Sequence, residues 1–104
     1  MIEAATIVTS EERLLRIFKA LSHPVRYRMV RYMVENPHCI TGELVEFSEL
    51  AQSTVSQHLK VLRESGLVCG EIEGAATSYC LDFGTLDWFR REVNGFADAL
   101  VACC

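Results

Sequence analysis

Two cysteines stand side by side at the end of the sequence, Cys103 and Cys104. Adjacent thiolates can both ligate one soft centre, and soft sulfur donors select thiophilic ions such as As(III) or Sb(III). No histidine or carboxylate cluster competes for zinc, because His23, His38 and His58 are scattered and the final predicted helix holds no histidine. Trivalent metalloids favour three ligands in a pyramid. Cys39, a cysteine from a second copy of the chain, or a small exogenous thiol or hydroxide would complete the set, and the sequence leaves all three open. The ordinary role of a single cysteine such as Cys39 is a small buried hydrophobe, and the ordinary fate of terminal residues is to fray. Cys69 and Cys80 make a second candidate pair. If a hairpin is centred between Gly74 and Ala75, the two fall opposite each other with Cβ atoms about 5 Å apart. They would then be a redox-sensitive dithiol or bind a metal together, and a slip of one residue would separate them. Five cysteines in 104 residues, without the spacing of a small disulfide scaffold, read as thiols of a reducing compartment.

A second set of residues is suited to nucleic acid. From Gln52 onward Val55, Leu59 and Leu62 recur at helical spacing, which turns Ser53, Ser56, Gln57, Lys60 and Arg63 outward together. Short hydroxyl and amide side chains at the N-terminal end of a helix are groups that reach phosphates and base edges, and the helix dipole adds attraction for phosphate. Gln52, Ser53, Thr54, Ser56, Gln57, His58 and Lys60 are the expected contacts to double-stranded DNA. Gly66 supplies the positive φ that a helix C-terminal cap favours. The net charge of −4 opposes phosphate binding as a total. Its distribution does not. Arg13, Arg16, Lys19, Arg26, Arg28 and Arg31 occur with no acidic residue between Arg13 and Val34, whereas Glu35, Glu43, Glu46 and Glu49 follow with no lysine or arginine before Lys60.

These residues need elements to position them. A first helix is expected from an N-cap at Ser10 to about Leu21, with Leu14, Phe18 and Leu21 inward. A second begins at His23 or Pro24 and ends before Asn36-Pro37, with Val25, Met29 and Met33 in the core. A third, about Thr41 to Phe47, leads through a turn into the helix at Gln52. Leu67 to Ile72 and Thr77 to Leu81 read as two strands joined by Glu73-Gly74-Ala75-Ala76. The last helix, about Thr85 to Cys104, spaces Leu86, Phe89, Val93, Phe96, Leu100 and Cys103 in alternating steps of three and four, a heptad-like seam that suits a partner subunit. No stretch approaches the roughly 20 apolar residues of a membrane helix. The first residues include Glu3 and no basic segment ahead of an apolar one, unlike a secretory signal, so a cytoplasmic protein is expected.

The run ALSHPVRYRMVRYM from Ala20, then GELVEFSELAQSTVSQHLKVLRESGLV, then a hairpin with Tyr79 and Leu81, resembles the ArsR/SmtB family of winged-helix repressors over about Leu14 to Leu81. The resemblance implies a mainly α fold with a small β-hairpin, a winged helix-turn-helix that is homodimeric. Residues 1–104 would form one DNA-binding domain with its terminal helices as dimerisation helices. It implies a repressor that holds operator DNA as a dimer; with the vicinal thiols, the expectation is a repressor that needs no cofactor and lets go when As(III) or Sb(III) binds Cys103 and Cys104. The chain departs from the family in three places. Family wings usually carry arginine or lysine, and here none occurs between Arg63 and Arg90 while Glu71 and Glu73 do. The commonest arsenic-sensing version carries two cysteines one residue apart where this chain has Ile40-Thr41-Gly42. The zinc or cobalt site that some members carry on the last helix has no histidine to build it. A repressor of the same fold answering to oxidants or reactive sulfur is the competing reading, and the acidic wing favours, as a third, an interaction module without DNA affinity. No cysteine shares a recognisable catalytic context with His38 or His58, so no enzyme is expected.

Overall fold

The structure is a computed structural model, and it describes residues 9–73 and 76–104. The first helix, α1 (Ser10–Leu21), opens with a capping box. Thr9 Oγ1 accepts the Glu12 N–H at 3.1 Å, and the Glu12 carboxylate accepts the Thr9 N–H at 3.0 Å. The N-cap is therefore Thr9 rather than Ser10, because the reciprocal pair requires the glutamate three residues on. Helix α2 (Pro24–Glu35) starts at the proline, with His23 as its N-cap, and buries Met29 and Met33 as their spacing predicts. A two-residue strand, β1 (Cys39–Ile40), runs into α3 (Thr41–Ser48). The turn after α3 is made by Glu49 in the left-handed region (φ 60°). It leads into α4 (Gln52–Glu64), whose buried residues are Val55, Leu59 and Leu62. Gly66, at φ +89°, ends that helix as expected.

Strands β2 (Val68–Glu73) and β3 (Ala76–Leu81) pair antiparallel, and β1 joins the other edge of β3, giving the order β1-β3-β2. The sheet thus has three strands rather than the two of a simple hairpin. Cys39 lies opposite Tyr79, and Ile40 opposite Ser78. The expected turn glycine, Gly74, and its neighbour Ala75 lie outside the described residues. Helix α5 (Phe83–Cys103) begins two residues before the apolar pattern suggests, since Asp82 is its N-cap and accepts the Thr85 N–H at 3.0 Å. Among the described residues no helix is long and apolar enough to cross a membrane.

The core lies where α1, α2, α3 and α4 meet the sheet: Ile17, Ala20, Met29, Met33, Cys39, Leu44, Val55, Leu59, Leu62, Leu67, Val68 and Tyr79. In α1 the buried residues are Ile17 and Ala20, not the expected Leu14, Phe18 and Leu21. Phe18 instead faces α5, meeting Phe89 edge-on with ring centroids 5.7 Å apart. Two apolar stripes run along α1, and spacing alone does not say which one its own protomer covers. Along α5, Leu86, Phe89 and Val93 are half-buried, while every residue from Asn94 to Cys104 is exposed. The projecting helix helps to explain a radius of gyration of 15.5 Å. A compact chain of this length has one of about 13 Å.

Candidate DNA-binding face and thiol sites

Helix α4 is set by α3 and the Ser48–Ala51 turn, where Ser48 Oγ accepts the Leu50 N–H at 3.3 Å. Its N-cap, Ala51, offers no side-chain acceptor; the Thr54 N–H donates to the Ala51 carbonyl at 3.0 Å, and the Gln52 and Ser53 N–H groups stay available to solvent or an anion. Gln52, Ser53, Ser56, Gln57 and Lys60 are exposed, and Thr54 is half-buried at the edge of the same surface. Five of the seven expected contact residues therefore share one open face, held flat by the Val55, Leu59 and Leu62 anchors beneath it. On its β2 side that face runs into a groove of about 650 Å³ lined by Lys60, Arg63, Glu64, Val68, Cys69 and Gly70.

His58 is placed differently. It is half-buried, its ring lies 4.6 Å from that of His23, and its Nδ1 is 3.3 Å from Arg26 Nη1. Arginine only donates, so His58 Nδ1 accepts and its proton sits on Nε2. Burial, followed by the neighbouring His23 and the Arg26 charge, lowers the His58 pKa from its ordinary value. The ring is thus a neutral brace between α2 and α4. Arg26 reaches further, donating through Nε to the Ala20 carbonyl at 2.8 Å and through Nη2 to the Lys19 carbonyl at 3.4 Å. One guanidinium ties the C-terminal end of α1 to α4. Sequence reading does not single out this link, because Arg26 and His58 are 32 positions apart.

Cys103 and Cys104 are exposed at the end of α5. The helical path holds to the last residue: the Cys104 N–H donates to the Val101 carbonyl at 3.2 Å, and Cys104 Sγ lies 3.5 Å from the Leu100 carbonyl. Cys39 is the opposite case, 1% exposed. Burial above all, and then the Glu43 carboxylate, pushes its thiol up to about 11. It is protonated at neutral pH and packed as a core residue. Among the described residues no three His, Cys, Asp or Glu side chains are grouped to hold an ion. The pairing of Cys69 with Cys80 is as the hairpin count predicts. Cys69 is exposed, Cys80 is half-buried, and the Cys69 thiol donates to Asp82 Oδ2 at 3.4 Å. That carboxylate is held below its ordinary pKa first by the Thr85 N–H and then by this thiol.

Residues 23–69, which span α2, α3, α4 and the start of β2, match the family model of the bacterial regulatory proteins of the arsR family. The regulator YgaV of Escherichia coli is 31% identical over 81 residues, covering 78% of this chain and 82% of YgaV. The chain belongs to the arsR family. The SmtB repressor of Mycobacterium tuberculosis is 40% identical over 65 residues, 62% of this chain, and the match spans about half the length of SmtB (47%). Among solved structures, one described as a possible transcriptional regulator for arsenical resistance superposes with a TM-score of 0.68 at 30% identity, covering 83% of this chain and 93% of that one. A homodimeric winged helix-turn-helix DNA-binding domain from Mycobacterium bovis, Mb0332, superposes with a TM-score of 0.69 at 20% identity, covering 98% and 90%, and shares the fold. Helices α3 and α4 with the turn between them, and the three-stranded sheet beside them, make up the winged helix-turn-helix of this family.

Proposed function

We propose that this arsR-family protein is a repressor that binds operator DNA as a homodimer and releases it when As(III) or Sb(III) is bound by the thiolates of Cys103 and Cys104. The observation that carries the reading is the coincidence, on one helix, of two adjacent exposed thiols with an uncovered apolar seam. Phe96 is 55% exposed and Leu100 53%. A second α5 is the natural cover for such a seam, and a homodimer would then bring two pairs of vicinal thiols to its dimer helices. A pyramidal metalloid site needs a third ligand. A cysteine of the second subunit or an exogenous thiol supplies it without opening the core at Cys39. Ligation at the ends of the dimer helices changes their packing. The spacing of the two α4 helices, which must enter successive major grooves about one helical turn apart, changes with it. A coupling of about 1–3 kcal/mol is enough to change operator occupancy by one to two decades. The contacts to DNA are Gln52, Ser53, Ser56, Gln57 and Lys60, with Thr54 and His58 at the margin.

Fluorescence anisotropy with DNA from upstream of the protein's own gene tests this, titrating Sb(III), As(III), Cd(II) and Zn(II) against wild type, Cys103→Ser and Cys104→Ser. Release by the trivalent ions that disappears in the variants is the expected result. Release of the variants at the wild-type concentration overturns the thiolate assignment. The register of Cys69 opposite Cys80 favours a second reading, a dithiol switch in which hydrogen peroxide takes two electrons and two protons from the thiols, giving one disulfide and two waters. Loss of two thiols together with DNA release after mild peroxide, both reversed by reductant and unaffected by Cys103→Ser, would select it.

A further inference from the structure

A protein of net charge −4 that binds duplex DNA must concentrate its positive charge where the phosphates lie. The hairpin does not provide it, for no lysine or arginine occurs between Arg63 and Arg90. Helix α4 is instead flanked by bases on both of its long sides. Lys60 and Arg63 border the β2 side. On the α1 side lies a groove of about 680 Å³ lined by Arg16, Lys19, Arg26, Val61, Glu64 and Ser65, where three cations face one carboxylate. Arg16 and Lys19 are exposed and three positions apart, so they project from the same face of α1. The Arg26 guanidinium is anchored by its hydrogen bonds to Lys19, Ala20 and His58, which use three of its five N–H donors and leave two.

A helix about 10–12 Å across seated in a major groove about 12 Å wide has a phosphate strand along each side. We propose that the Arg16, Lys19 and Arg26 shoulder is a DNA-backbone site that binds the phosphate strand on the α1 side of the groove entered by α4. The inference rests on the operator reading above and deepens it. Positive charge on that side of the groove is thus supplied by α1 and α2.

The test is operator affinity of the full chain across a range of salt concentrations, for wild type, for Arg16→Gln with Lys19→Gln, and for Arg90→Gln with Arg91→Gln as a control of equal charge on α5. The shoulder variant is expected to lose about tenfold or more in affinity, equally on operator and scrambled duplex. Its slope of log affinity against log salt should be shallower by about 0.9 for each phosphate that the protein no longer neutralises. Phosphate ethylation on the strand beside α1 should interfere with wild-type binding and no longer interfere with the shoulder variant. Both shoulder substitutions are on exposed residues, and an unchanged thermal melt confirms the fold. An unaltered salt slope, an equal loss in the α5 control, or an ethylation pattern identical in wild type and shoulder variant overturns the proposal. Wild-type protein that retains no duplex at low salt overturns the operator reading itself, and this surface with it.

Discussion

Helices α4 and α5 are both amphipathic, yet the protomer treats them differently. In α4, Val55, Leu59 and Leu62 are all buried, at 0%, 1% and 0% exposure. In α5 the apolar series is covered only at its beginning, and Phe96 and Leu100 remain open. Helix α4 has its apolar face covered by its own chain, whereas α5 keeps the outer part of its seam uncovered. Under the proposed function, that division would place base and phosphate recognition on a rigid element. On the same proposal, the helix with the vicinal thiols would be the one that answers to a partner and a ligand.

The comparison is broken most forcefully in the core. Leu59→Ala should cost about 2–5 kcal/mol, read from urea unfolding. Leu100→Ala removes an exposed side chain of the protomer, so unfolding of the dilute monomer should hardly change. Its dimerisation should weaken by about 1.5–3 kcal/mol, read by sedimentation. If the two leucines cost the same in the dilute monomer, α5 packs on its own chain and the division between the helices fails. Gly66→Ala tests how sharply α4 is ended. An added Cβ would meet the Thr85 side chain only at 3.6 Å, an ordinary contact, so the cost is that of the left-handed backbone, roughly 1–2 kcal/mol. Thr9→Ala, which removes the capping box of α1, should cost about 1 kcal/mol in thermal unfolding.

The smallest effect is a pH dependence at the brace between α2 and α4. The His58 pKa is lowered in the folded state from an ordinary 6.5, so the unfolded chain takes up its proton first as pH falls. Stability should decline as pH drops below about 6.5 and level off once the folded state is protonated too. The groups facing the ring are His23 and Arg26. His58→Gln should flatten that part of the stability profile, and an unchanged slope would assign it to another group.

The legible parts of this molecule are those governed by neighbours a few residues apart. The Val55, Leu59 and Leu62 spacing, Pro24 at the start of α2 and Gly66 after α4 each report a backbone preference or a helical face. The facing of Cys69 and Cys80 follows from the centre of a hairpin and a period of two. Strand β1 carries no such signal. Two residues make no pattern, and Cys39 and Ile40 are extended by pairing with Tyr79 and Ser78 about forty positions away.

The amino-acid order by itself determined the helices, the turn residues, the outward polar row of α4 and the terminal thiols, because caps and periodicity act over one or two turns. Only the tertiary structure decided which stripe of α1 is buried, that His58 braces α2 rather than standing free, that Cys39 is sealed with its proton, and that Arg16, Lys19 and Arg26 gather beside α4. Each of those outcomes depends on segments distant in the chain meeting in space. Hydrophobic spacing specifies a face and leaves its partner open.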